Sequence, residues 1–275
     1  MSNLKIMILC GRSARHIYVA NRLCQAAEPL AIVNEVGSQW TAKKVLNLLK
    51  PWVLGRKSWR WLRDRKRYAG NLEAKYFFGD KKPAFERADL IREVSHINDP
   101  AVMKLTDELQ PDVICVFGTS LIRGELLKKG RLGILNLHGG LSPEYRGADC
   151  TFWALYNGEP EKVGCTLHFI DPGIDTGNLV AHISPEVRSG DSELVLFWRA
   201  VRDSAEVYVA ALDRLEKGQL LGQNQPHKGR LYQVKDRGLR HEKRLDKLLA
   251  NGMLQEIHLP RRVTWFFKDG RIEKG

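Results

Sequence analysis

Residues 113–138 read VICVFGTSLIRGELLKKGRLGILNLH. Two runs inside that stretch, Val113 to Phe117 and Gly133 to Leu137, are almost free of polar interruption. Short, near-continuous apolar runs are what strands buried on both faces show. Between them, Gly118 to Gly130 carries Leu121, Ile122, Leu126 and Leu127 as a short helical connection. Strands joined in this way build a parallel sheet with right-handed crossovers. The loop after Phe117 and the segment after Leu137 then leave the sheet at the same edge, where open α/β sheets bind ligands.

Upstream, Asp99 to Gln110 reads as a helix stopped by Pro111-Asp112. The chain opens with a strand over Leu4 to Cys10, a helix over Ala14 to Gln25 with Ile17, Ala20, Asn21 and Cys24 at helical spacing, and a strand over Leu30 to Asn34. The single Gly11 at the first turn lacks the G-x-G-x-x-G pattern of a dinucleotide site. Downstream, Val163 to Ile170 and Leu179 to Ile183 read as strands around the turned loop Asp171-Pro172-Gly173-Ile174-Asp175-Thr176-Gly177. Leu194, Trp198, Val201, Ala205, Val209, Leu212 and Leu215 mark a long amphipathic helix ended at Gly218. A basic helix near Arg240 to Leu249 and a hairpin over Val263 to Ile272, turning at Asp269-Gly270, complete the pattern. This predicts an α/β domain over residues 1–190 with a mostly parallel central sheet, and a small C-terminal extension over 191–275. The tail hairpin offers a pairing edge for a homodimer.

A chain of 275 residues can bury one substantial core, and 43% hydrophobic with 28% charged residues is an ordinary globular balance. No run approaches the roughly 20 apolar residues of a membrane-spanning helix. The five cysteines are odd in number and form no C-x-x-C pair, which argues against a disulfide scaffold or zinc ribbon and for a reducing, cytoplasmic setting. A net charge of +12 favours acidic partners without saying which.

Residues 39–80 look like an insertion, with KPWVLGRKSWRWLRDRKRY at 50–68. Lys50, Arg56, Lys57, Arg60, Arg63, Arg65, Lys66 and Arg67 stand there against Asp64 alone. One reading is a patch for phosphate or anionic lipid anchored by Trp52, Trp59 and Trp61, making the chain a nucleic-acid or membrane-surface binder. The other is a surface helix whose aromatics pack on the body while its arginines are solvated, the commoner outcome.

The chemistry concentrates after the second buried strand, in Asn136-Leu137-His138-Gly139-Gly140-Leu141-Ser142-Pro143-Glu144-Tyr145-Arg146-Gly147. In a strand, Asn136 and His138 face the same side. A carboxamide and an imidazole directed into one cleft can hold a carbonyl oxygen and move a proton, as attack on an acyl carbon requires; equally, both could be buried groups satisfied by backbone. His138-Gly139-Gly140 is no sign of a serine hydrolase, because no G-x-S-x-G elbow exists. His138, His168 and His182 lack the spacing of a zinc site, so no metal is expected, and His168 and His182 read as strand residues.

The block from Asn136 to Val180, NLHGGLSPEYRGADCTFWALYNGEPEKVGCTLHFIDPGIDTGNLV, resembles the catalytic core of the folate-dependent formyltransferases, the family of glycinamide ribonucleotide, methionyl-tRNA and amino-sugar formyltransferases. That family carries an N-x-H pair at a strand end, a proline-ended loop followed by Y-R-G, and an aspartate in an I-D-T-G-like loop. These fall here on Asn136, His138, Pro143, Tyr145-Arg146-Gly147 and Asp175. The resemblance covers residues 100–185 well and the opening strands loosely. It implies a Rossmann-like formyltransferase fold, with 10-formyltetrahydrofolate as formyl donor. Asn136 would stabilise the oxyanion of a tetrahedral intermediate, His138 would shuttle the proton, and Asp175 would orient it or a water. Asp171 competes with Asp175, but Asp171-Pro172 has the look of turn initiation. By the same resemblance the donor would contact Val116, Phe117, Gly118, Thr119, Ser120 and Leu121, with Ile170, Asp171, Gly173 and Ile174 opposite. Ser142, Tyr145, Arg146 and Gly147 would border the acceptor.

The family's S-L-L-P loop is Gly140-Leu141-Ser142-Pro143 here, and the basic insertion precedes the core, so both departures fall on the acceptor side. The last 90 residues are too few and too unpatterned for the full tRNA-binding barrel of a methionyl-tRNA enzyme. A small-molecule amine, first a nucleotide-linked amino sugar and then an amino-acid-derived acceptor such as hydroxyornithine, therefore ranks above nucleic acid. A formyltetrahydrofolate hydrolase, using water in place of the amine, would share the same three residues.

Overall fold

The computed structural model describes residues 2–37, 46, 50–67 and 69–275. The parts of the expected insertion at 39–45, 47–49 and 68 lie outside the described residues, as do the side chains of Trp52, Arg56 and Lys66. The chain opens β1 (Lys5–Cys10), α1 (Ala14–Ala26), β2 (Glu28–Glu35), with α2 (Pro51–Arg67) and α3 (Leu72–Phe78) before β3 (Ile91–Val94). Then follow α4 (Pro100–Leu109), β4 (Val113–Phe117), β5 (Gly133–His138), β6 (Tyr145–Gly147), α5 (Cys150–Tyr156), β7 (Cys165–Phe169) and β8 (Leu179–Ser184). The last elements are α6 (Glu193–Glu216), β9 (Arg230–Tyr232), α7 (Leu239–Ala250), β10 (Arg262–Phe266) and β11 (Ile272–Lys274).

Nine of these strands form one sheet in the order β11-β10-β8-β7-β5-β4-β1-β2-β3. The half from β3 to β5 is parallel, as buried runs joined by helices dictate, and from β7 outward the strands pair antiparallel. Period-two alternation divides β1 between two cores. Ile6, Ile8 and Cys10 meet α1 and α6 through Leu23, Trp198, Tyr208 and Leu212, while Met7 and Leu9 join Val102 of α4 and Ile122 on the other face. The helix starts follow local chemistry. Asp99 accepts from the Ala101 N–H at 2.9 Å with Pro100 in the first turn, and Ser192 accepts from the Val195 N–H at 3.3 Å.

From residue 191 onward the chain is continuous with this body. α6 buries its apolar stripe in the main core, and β10 pairs with β8 so that the tail hairpin becomes the sheet's outer strands. A smaller cluster gathers Tyr145, Phe152, Trp153, Tyr232, Leu245 and Leu254 under α5 and α7. β6 pairs parallel with β9, and that pairing requires a glycine at 147. Its φ is +87°, and a Cβ there would stand 2.2 Å from the Tyr232 carbonyl oxygen. The ends of β4 and β5 thus deliver Phe117 to Leu121 and Asn136 to His138 to one edge.

Candidate active site

At that edge lies a cavity of about 480 Å³. All ten residues expected to contact the donor line it: Val116, Phe117, Gly118, Thr119, Ser120, Leu121, Ile170, Asp171, Gly173 and Ile174. Asn136, His138 and Asp175 line it too. Gly118 takes φ +75° because the His16 ring lies beneath it, and a Cβ would fall 2.1 Å from His16 Nε2. Burial keeps His16 below the usual imidazole range, so it is a neutral wall.

His138 is buried and its Nε2 lies 3.0 Å from the Tyr145 carbonyl oxygen. A carbonyl only accepts, so Nε2 carries the proton and the neutral ring keeps its lone pair on Nδ1. Nδ1 is 3.5 Å from Asp175 Oδ2. Burial lowers the His138 pKa; Asp175 pulls it back up, and His168 and Arg146 push it down again. The net lowering leaves a neutral imidazole beside a carboxylate at neutral pH.

Asp175 itself occupies the left-handed region at φ 51°, where its carbonyl accepts from Gln225 Nε2 at 2.9 Å. Burial raises its pKa, but the His138 and His168 rings and the Gly147 N–H, which donates to Oδ2 at 2.8 Å, outweigh that and hold the carboxyl well below its usual range. Asp171 has a different task. Its Oδ1 accepts from the Gly173 N–H at 3.0 Å and the Thr176 hydroxyl at 2.6 Å, closing the turn that presents Asp175.

His168, read from sequence as a plain strand residue, belongs to the site. Its Nδ1 donates to the Phe169 carbonyl at 2.8 Å, which leaves Nε2 to accept from Asn136 Nδ2 at 3.0 Å. Nε2 is also 3.6 Å from Asp175 Oδ1. Only the antiparallel register pairing Asn136 with His168 brings these two together.

Of the residues expected on the acceptor side, only Gly147 lines the cavity; Ser142, Tyr145 and Arg146 are buried and engaged elsewhere. The Ser142 N–H donates to Thr166 Oγ1 at 2.9 Å, the Tyr145 hydroxyl donates to Glu159, and Arg146 Nη2 donates to the Gly229 carbonyl at 3.1 Å. Their turn holds Gly147 against Asp175. The wall beyond Gly147 is made instead by Arg15, Arg67, Asp149 and Glu193. Arg67 donates to Glu193 at 2.8 Å, and buried Arg237 bridges Asp149, Glu193 and Glu242. Burial lifts Glu193 to about 7 against the pull of Arg67. Cys150 Sγ is 3.6 Å from His138 Nε2, but burial drives that thiol's pKa well up and keeps it protonated.

Residues 63–212, more than half of the chain, match the formyl transferase family. The chain belongs to that family. Among curated formyl transferases it is 33% identical over 125 residues to the methionyl-tRNA formyltransferase of Chlorobium chlorochromatii (strain CaD3), covering 46% of this chain and 40% of that protein. With the Chlorobium luteolum enzyme of the same name it shares 35% over 138 residues, 50% of this chain and 44% of the other. The chain thus spans under half the length of these curated relatives. Among solved formyl transferases, a sugar N-formyltransferase from Shewanella sp FDAARGOS_354 superposes with a TM-score of 0.56 at 15% identity, over 98% of this chain and 95% of that one. Glycinamide ribonucleotide transformylase 1 from Symbiobacterium toebii gives 0.52 at 18% identity over 81% and 94%. At these identities the likeness is one of fold.

Proposed function

We propose that the chain transfers a formyl group from 10-formyltetrahydrofolate to an amine acceptor, with Asn136, His138 and Asp175 at the reacting atoms. The observation that carries this is the convergence of the Asn136 carboxamide, the unprotonated His138 Nδ1 and the Asp175 carboxylate on one cavity wall.

The donor half of the cavity suits a flat, partly apolar heterocycle. Leu121 and Ile174 are 36% and 41% exposed at its rim, with Thr119 and Ser120 between strand end and solvent. The donor supplies an acyl carbon already bonded to nitrogen. Asn136 uses one amide N–H on His168 and has a second for the acyl oxygen, where negative charge develops as the amine attacks. His138 takes the proton lost by the attacking nitrogen onto Nδ1 and returns it to the leaving nitrogen. Asp175, ionised throughout, stabilises the imidazolium between those two transfers.

For the acceptor, the reading is an amino sugar, nucleotide-linked. One observation supports it. The wall beyond Gly147 mixes carboxylates with Arg15 and Arg67, a surface suited to hydroxyls, an ammonium and a phosphate.

Calorimetry with a 10-formyltetrahydrofolate analogue should show binding by wild type, Asn136→Ala and His138→Ala alike. Tetrahydrofolate release should then need an amine, be fastest with a nucleotide-linked amino sugar, and fall by at least about 10²-fold in both variants. Release driven by water alone would mean a hydrolase, fastest release with an aminoacylated tRNA would overturn the sugar reading, and absence of folate binding would overturn the whole proposal.

A further inference from the structure

α2 presents two chemically different faces. At 100° per residue, Trp59, Arg63 and Arg67 fall on one side. Arg63 donates to Glu242 of α7 at 3.3 Å and Arg67 to Glu193 of α6 at 2.8 Å, with their side chains 12% and 17% exposed. These two arginines clamp the helix to the body, and Arg67 reaches the cavity wall.

Leu54, Lys57, Ser58, Trp61, Leu62 and Arg65 fall on the opposite side, and every one is exposed. Leu54, Trp61 and Leu62 are 54%, 58% and 59% exposed, two turns apart along one stripe. Lys57 and Arg65 flank them, and the Arg65 guanidinium stands 5.3 Å from the Trp61 ring centre. On α7, in the same turn as Glu242, Leu239 is 51% exposed beside exposed Arg240 and Lys243. A merely solvated helix face would be polar.

We propose that this outer face of α2 docks the protein on an anionic membrane surface, with Leu54, Trp61 and Leu62 entering the headgroup boundary and Lys57 and Arg65 pairing with lipid phosphates. Large apolar residues on one stripe with Lys and Arg at its margins are the make-up of a helix that lies in the lipid interface. Nucleic acid fits less well, because Leu54 and Leu62 neither neutralise phosphate nor stack on bases. A second copy of the chain fits less well, because each copy carries +12 and would bring like charges together. Since α2 is 17 residues long and ends at the cavity wall, docking would hold the cavity within roughly 25 Å of the lipid.

The test is co-sedimentation of the full chain with vesicles of phosphatidylcholine alone and of phosphatidylcholine mixed with phosphatidylglycerol. Wild type should pellet with the mixed vesicles only. A Trp61→Ser, Leu62→Ser double variant should lose at least about tenfold in partitioning, as should Lys57→Glu with Arg65→Glu. Both variants should bind the folate analogue as wild type does, which separates failure of docking from failure of the fold or of the proposed activity. Equal partitioning by wild type and the Trp61/Leu62 variant would overturn the proposal. So would Trp61-dependent retention of a single-stranded oligonucleotide without vesicle binding, or a dimer in sedimentation equilibrium that this variant abolishes.

Discussion

Asn136 Nδ2 donates to His168 Nε2 at 3.0 Å across the antiparallel pair β5 and β7, and His168 is itself locked by its Nδ1–H to the Phe169 carbonyl. The carboxamide therefore has one fixed orientation, with its second N–H free to meet an acyl oxygen. Replacing His168 by Ala leaves Asn136 free to rotate. The expected result is a fall in kcat of about tenfold to a hundredfold with donor affinity nearly unchanged, because misorientation affects the developing charge more than ground-state binding. Asn136→Ala should cost about 10²–10³ in kcat, and adding His168→Ala to it should cost little more. Additive losses in that double variant would show that His168 acts independently of Asn136.

Asp175 raises the pKa of His138, while burial lowers it further than Asp175 can restore. The wild-type rate should hold level as pH drops through the ordinary imidazole value of 6.5 and decline only below it. In Asp175→Asn the upward pull is gone, so the acid limb moves to still lower pH even as kcat falls by about 10²–10⁴ through loss of charge stabilisation on the imidazolium. An acid limb that moves upward in this variant would mean that another group takes the proton.

The elements that sequence patterns announce are those whose neighbours along the chain already define their environment. β1, β4 and β5 are near-continuous apolar runs, and α6 repeats its apolar residues at helical spacing, so each was legible before any contact was known. β3 was not, because Arg92 and Glu93 are exposed on a short edge strand and give it no apolar run. β6 and β9 are three residues each and define one another across a long stretch of chain, so neither carries a local signal. The same limit hid His168. Asn136 and His138 face one cleft because they are two apart on one strand, whereas His168 joins them through strand register alone. Ser142, Tyr145 and Arg146 adjoin Gly147 in sequence, and nothing local says that their side chains are buried.

Tyr208 of α6 reaches into the sheet just before Asn136 and His138. Its hydroxyl donates to the Leu135 carbonyl and accepts from the Val116 N–H at 3.0 Å, in a fully buried setting. Tyr208→Phe keeps the packing but leaves both backbone groups unmet, at a cost of about 1–3 kcal/mol. Because those groups adjoin Asn136 on β5 and the donor wall on β4, folate affinity should weaken as well. Urea midpoints and calorimetry on the same variant test both effects, and a variant as stable as wild type would show that a water or a strand shift satisfies the two groups.

Arg237 is the centre of the network behind the cavity wall that Asp149 and Glu193 form. Its side chain is 2% exposed, and it donates to Asp149 at 3.0 Å, Glu193 at 3.2 Å and Glu242 at 2.6 Å, while its guanidinium stands 3.7 Å above the Phe152 ring. Arg237→Leu leaves three carboxylates facing one another with Arg60, Arg63 and Arg67 still nearby, so about 3–5 kcal/mol of stability should be lost at about pH 8. Glu193 sets the pH dependence. Its folded pKa is raised from 4.5 to about 7 by burial, so the native state binds a proton that the unfolded chain releases, and acidification through that value favours the native state. Without Arg237 the neighbouring carboxylates raise it further. The stability gap between wild type and Arg237→Leu should therefore narrow between about pH 8 and pH 6, read from urea midpoints at each pH. A gap that stays constant would mean the loss comes from packing on Phe152 rather than from the unpaired charges.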